Sequence, residues 1–150
     1  MSVATIEMKP IAYGRDCKTY LLWDGDTKEA AIIDPRFDHV ARYVQEIEQA
    51  GVKLKYAIDT HTHADHLSGS DRLRNLTGCA IVMSDASKSK VPDYKAADGE
   101  TLKLGGNRLT LLHTPGHTPD SMCIFDGHRV YTGDTLFIGS AARTDFMGGS

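Results

Sequence analysis

The densest concentration of reactive side chains lies in Thr60-His61-Thr62-His63-Ala64-Asp65-His66, which places three of the seven histidines and one aspartate within six positions. Imidazole suits Zn, Fe, Cu and Ni, and a carboxylate adds a hard anionic ligand, so this segment reads as part of a metal site. Side chains of extended backbone alternate between faces, so His61, His63 and Asp65 can point the same way, whereas His66 falls where the chain must turn. Two further candidates occur downstream. His117 follows a Pro-Gly turn in His113-Thr114-Pro115-Gly116-His117-Thr118, which favours a rigid loop. Asp134 sits in Thr132-Gly133-Asp134-Thr135. All three segments directly follow apolar, strand-like runs, and a metal centre assembled from several strand ends is the arrangement they imply. The alternative for the first cluster is a histidine-rich surface loop, and taken alone His117 or Asp134 would read as turn residues. Their joint occurrence favours ligation.

These residues need strands to carry them. Ile6–Ile11, Lys18–Trp23 and Ala30–Ile33 are β-rich, with Asp24-Gly25-Asp26 as a turn between the last two. Pro35 lacks an N–H and restricts its predecessor, so the third strand should stop before Asp34-Pro35. Val40, Tyr43, Val44 and Ile47 recur at helical spacing, predicting a helix over 38–50 that ends at Gly51. Leu54–Asp59 reads as the buried strand that delivers the histidine cluster. A short helix over Ser70–Thr77, with Leu73 and Leu76 facing inward and Gly78 as its stop, should follow. Further strands are predicted at Ala80–Met83, Leu102–Leu104, Arg108–His113, Ser121–Phe125 and Val130–Gly133, with turns at Gly105-Gly106-Asn107 and Asp126-Gly127. Residues 84–98 give no clear pattern. A mixed α/β sheet packed on helices accommodates this order most economically.

Composition sets the outer limits. The 150 residues suffice for one domain, hydrophobic and charged residues make up 41% and 25%, and the net charge is −3. No basic block provides a nucleic-acid footprint, and no apolar run is long enough to span a membrane. The N-terminal stretch resembles neither a secretory signal nor a transit peptide. Cys17, Cys79 and Cys123 form no CxxC pair, which points to free thiols in a reducing cytoplasm, with Cys79 and Cys123 as small buried apolar residues. His39 and His128 should be exposed, and His113 packed or beside the site. Tyr131 and Phe137 flank the Asp134 loop, as core residues or pocket walls.

The ordered segments THTHADH, TPGHT and TGDTLF resemble the HxHxDH, second-histidine and bridging-aspartate motifs of the metallo-β-lactamase superfamily, with Asp34-Pro35 similar to its preceding acidic strand end. The resemblance implies an αββα sandwich, of which this chain carries the N-terminal and central part. Within the superfamily, Arg143-Thr144-Asp145-Phe146 resembles the RTDF element of persulfide dioxygenases. That branch implies a mononuclear Fe(2+) site on His61, His117 and Asp134, which oxidises glutathione persulfide with O2 to sulfite. Asp65 and His66 then become candidate catalytic groups. His63, Asp65, His66, Asp59 and Asp34 neighbour the metal or await a second one. Asp59 and Asp34 read equally well as orienters of a ligand imidazole or as plain strand-end caps. Arg143 reads as a clamp on a glutathione carboxylate or as a surface arginine. The competing branch, the glyoxalase II-type thioesterases, implies two Zn2+ ions and usually one more C-terminal histidine, and no histidine follows His128. A metal-binding fragment without catalysis is the third reading. A homodimer and a rhodanese-type sulfurtransferase partner are left open.

Overall fold

The computed structural model describes residues 5–12, 18–61, 68–114, 121–132 and 136–138. Among them run β1 (Ile6–Ala12), β2 (Lys18–Asp24), β3 (Glu29–Ile33), α1 (Val40–Ala50), β4 (Lys53–Ile58), α2 (Ser70–Thr77), β5 (Ala80–Ser84), β6 (Tyr94–Ala96), β7 (Thr101–Leu104), β8 (Asn107–His113), β9 (Met122–Phe125), β10 (Arg129–Tyr131) and β11 (Leu136–Ile138). The first sheet has the order β1-β2-β3-β4-β5-β6 and the second β11-β10-β9-β8-β7. β1 to β3 pair antiparallel, and β3 to β6 pair parallel. The second sheet is antiparallel throughout.

The patterning explains these placements. Pro10 cannot donate to a ladder, and it lies in β1, at the edge of the sheet. The continuous apolar run of β3 sits inside the sheet, covered on both faces. One face of the first sheet, with Tyr20, Leu22, Ile33, Ile58 and Val82, packs against Leu104, Leu109, Leu111, Met122 and Ile124 of the second. The other face, with Leu21, Ile32, Leu54 and Ala57, packs against Val40, Tyr43 and Ile47 of α1 and Leu73 of α2. The described layers therefore run helices, sheet, sheet.

The predicted elements recur within a residue or two at most ends. A 3₁₀ turn over Phe37–His39 opens the first helix, so α1 proper starts at Val40. Gly51 and Gly78 take left-handed φ values of 68° and 80° as the helix stops. Leu76, expected inward, is 55% exposed. On this short helix the buried positions are Ser70 and Leu73, and at 3.6 residues per turn Leu76 lies about 120° round the helix from Ser70, beyond the sheet-facing side. β6 falls in the stretch without a clear pattern. It is too short for periodicity, and Asp93 positions it by accepting from Ile81 N (2.8 Å) on β5 and from Arg74 (3.1 Å) on α2. Tyr131 is a core residue: fully buried, beside Tyr20 (5.1 Å between centroids), with its hydroxyl donating to Asp126 (2.8 Å). Cys79 and Cys123 are buried free thiols, and burial pushes both pKa values up. Cys17 and the side chain of Phe137 lie outside the described residues.

Candidate metal centre

The site begins where parallel neighbours β3 and β4 end. Asp34 takes a left-handed φ of 55°, which a short polar residue tolerates better than a bulky one. Its N–H donates to Ile58 O (2.8 Å), which continues the pairing with β4. Its carboxylate then receives Thr60 twice, from the backbone N–H (2.8 Å) and from the hydroxyl (2.7 Å). Thr60 Oγ1 in turn lies 3.0 Å from His61 Nδ1. Asp34 and Thr60 are both buried. The Asp34 loop is held from behind as well. Thr19 of β2 donates to Asp34 O (2.9 Å) and meets the Tyr43 hydroxyl of α1 (3.1 Å), which accepts from Arg36 N (3.0 Å).

Asp59 closes the other side. Its buried carboxylate accepts from the hydroxyls of Ser68 (2.9 Å) and Ser70 (3.1 Å). Gly69 N donates to Pro35 O (2.7 Å), and a Cβ at Gly69 would stand 2.7 Å from Arg36 O. Both ends of the segment 62–67 are thus anchored to the Asp34 loop. Asp59→Ala would leave two hydroxyls without their charged acceptor and is expected to lower stability by about 2–3 kcal/mol, read as a reduced urea midpoint. An unchanged midpoint would show that the serines hold the loop without it.

The second sheet brings its own strand ends to the same edge. Thr114 N donates to Ser121 O (2.9 Å), closing the base of the segment that contains His117. Met122 N donates to Thr60 O (2.8 Å), so this base is tied directly to the threonine before His61. β10 runs antiparallel to β9 with Tyr131 opposite Ile124, so its C-terminal end, which leads to Asp134, points toward the start of β9. The strand ends that precede all three motif segments therefore share one edge of the sandwich. His113 is half-buried there, its Nε2 3.1 Å from Ser84 Oγ and 3.0 Å from Ala96 O, so it bridges the two sheets.

His63, Asp65, His66, His117, Asp134 and Arg143 lie outside the described residues. Among the described residues no three His, Cys, Asp or Glu side chains group closely enough to hold a metal ion. Of the expected site residues, Asp34 and His61 are brought together through Thr60, and Asp59 is bonded to the serines that open α2. The sequence reading overlooked Thr60, Ser68 and Ser70, although hydroxyl residues flanking a histidine cluster are a usable signal for hydrogen bonds that orient ligands. The donor set suits a metal: an imidazole whose Nδ1 is engaged presents Nε2 as a ligand.

Comparison with known proteins agrees with this architecture. The metallo-beta-lactamase superfamily model matches residues 12–150. The human mitochondrial persulfide dioxygenase ETHE1 is 40% identical over 134 residues, which cover 87% of this chain and 52% of the relative. The hydroxyacylglutathione hydrolase GloC of Haemophilus influenzae is 34% identical, with 96% of this chain and 77% of the relative covered. The crystal structure of ETHE1 from Myxococcus xanthus superimposes with a TM-score of 0.82 at 32% identity, covering 88% of this chain and 59% of that one. The chain spans about half the length of the mammalian persulfide dioxygenases that it matches. With the two-sheet core, the strand-end motifs and the family model in agreement, the chain belongs to the metallo-β-lactamase superfamily.

Proposed function

We propose that the protein is a mononuclear iron persulfide dioxygenase, converting glutathione persulfide, O2 and water to glutathione and sulfite. The observation that carries this reading is the 40% identity to human persulfide dioxygenase over 134 residues. His61, His117 and Asp134 would hold Fe(2+), since two imidazoles and one carboxylate form the facial ligand set of non-haem iron oxygenases. When bound, iron supplies open coordination positions and the electrons that O2 requires. The chain supplies orientation and proton handling. Asp34 and Thr60 hold the ring of His61. Arg143 pairs with a glutathione carboxylate through its two-pronged guanidinium. The reaction consumes water and releases protons, and Asp65 and His66 accept them.

A second reading has its own support. The chain covers more of the H. influenzae hydrolase (77%) than of human persulfide dioxygenase (52%). A glyoxalase II-type thioester hydrolase would use two Zn2+ ions, with His63, Asp65 and His66 as additional ligands. The sequence-based assignment to the cytoplasm differs from the location in the human relative's name, which is mitochondrial. No helix among the described residues is long and apolar enough to cross a membrane.

Metal analysis combined with an oxygen-electrode assay on glutathione persulfide separates the readings. The expected result is one iron per chain, with O2 uptake matched by sulfite. Two zinc ions with thioester turnover and no O2 uptake would overturn the dioxygenase assignment in favour of the hydrolase. Metal binding with neither activity would favour a non-catalytic domain.

A further inference from the structure

We infer that Thr60 is a positioning residue that selects the tautomer of His61. The inference follows from proton counting. A threonine hydroxyl carries one proton and two acceptor lone pairs. Thr60 donates that proton to Asp34 Oδ2 at 2.7 Å, and an ionised carboxylate can only accept. The second carboxylate oxygen is occupied by the Thr60 N–H at 2.8 Å, which fixes the group in place. Thr60 Oγ1 therefore meets His61 Nδ1, 3.0 Å away, as an acceptor, and Nδ1 must carry the ring proton. The lone pair is then on Nε2, the nitrogen that a metal would take.

Position and burial make this selection rigid. Thr60 is 1% exposed, so water does not compete for its hydroxyl. Its backbone is held from both sheets, by Asp34 through the N–H and by Met122 through the C=O (2.8 Å). The acceptor itself is held by Thr19 and Ile58, through the backbone of Asp34. Asp34 thus acts on His61 through Thr60, which transmits its charge and orientation. A carboxylate that polarises a ligating imidazole through an intermediary raises the basicity of that ligand, as a direct partner does.

The inference rests on His61 being a metal ligand, as in the proposed function, but not on the identity of the metal or the reaction. The test uses the whole chain with 15N-labelled histidine. In the metal-free protein, NMR of the neutral ring should show the proton of His61 on Nδ1. Wild-type protein with the proton on Nε2 would overturn the inference, and this measurement needs no variant. Thr60→Val keeps the shape and the backbone contacts but removes the hydroxyl. It should release the tautomer preference and weaken Zn(II) binding, measured by competition with a chromophoric chelator, by roughly 10–100-fold. Thr60→Ser should restore both. An unchanged tautomer and Zn(II) affinity in Thr60→Val would show that the hydroxyl is not needed, and would also overturn it. A wild-type-like tautomer with Zn(II) retained in His61→Ala would instead count against His61 as a ligand, leaving the hydrogen-bond relay intact.

Discussion

Replacing His61, His117 or Asp134 with alanine is expected to strip the metal from the protein and to reduce turnover to background. A three-ligand site that loses one ligand keeps only two protein donors, too few to retain a divalent ion against chelators. Metal content after dialysis and O2 uptake should fall together. His63→Ala or His66→Ala should leave the metal in place, while His66→Ala and Asp65→Ala slow the reaction. Loss of metal in His63→Ala or His66→Ala, with retention in His61→Ala, would refute the ligand assignment. His61→Ala should cost the fold little beyond its side chain, because the anchoring bonds around it run through Asp34, Thr60 and Met122. Thermal unfolding of the metal-free variants checks this separation.

The second large effect concerns stability, at the end of the molecule that joins β2 to the β7–β8 hairpin. Asp24 is fully buried, and its carboxylate accepts four hydrogen bonds. Asp26 N (2.9 Å) and Thr27 N (2.8 Å) bind one oxygen, while Gly106 N (2.8 Å) and Asn107 Nδ2 (2.8 Å) bind the other. One side chain thus clamps a turn of the first sheet to a turn of the second. Gly105 makes the approach feasible, for it takes a φ of 59°, and a Cβ there would lie 2.4 Å from Asp24 Cγ. Asp24→Asn would set an amide N–H against two donors and is expected to cost about 3–5 kcal/mol at neutral pH. That corresponds to a fall in Tm of roughly 10 °C for a chain of this size.

The pH dependence has a definite sign. Burial alone would raise the Asp24 pKa, but the hydrogen bonds from Thr27, Gly106, Asp26 and Asn107 outweigh it and hold the group below its usual 3.8. Its contribution is therefore complete above that unfolded-state value and is lost as pH falls through the lower folded-state value. Glu29, held down by the Gly105 N–H, Glu46, held down by Lys9, and Asp93, held down by the Ile81 N–H, act in the same direction. The wild type should lose stability steeply below about pH 4. The gap between wild type and Asp24→Asn should narrow over the same range. A gap independent of pH would show that shape rather than charge holds the two turns together.

Much of this organisation was legible locally. Helical spacing at Val40, Tyr43 and Ile47 marked α1, apolar runs marked β3 and β4, and Pro35, Gly51 and Gly78 marked their stops. Each signal is carried by consecutive residues whose backbone preferences act over a turn or a strand length, so chain order alone reveals it. The candidate ligand types and the strands that precede them were legible for the same reason. The length of β6 and the outward face of Leu76 were not, because partners elsewhere in the fold set both: Ile81 and Arg74 through Asp93, and Asp59 through Ser70.

By itself, then, the sequence determined the inventory: a metallo-β-lactamase-type order of elements, with metal-capable side chains after three of its strands. Only the tertiary structure decided which side chains act together. Asp34 reaches Thr60 across 26 positions because β3 and β4 pair in parallel, which requires α1 as the crossover between them. Met122 reaches Thr60 because the two sheets pack face to face and bring their strand ends to one edge. Strand pairing and sheet packing are long-range choices, made by burial of whole faces rather than by any local run. Those choices turn Thr60, an unremarked neighbour of the histidine cluster, into the link between Asp34 and His61.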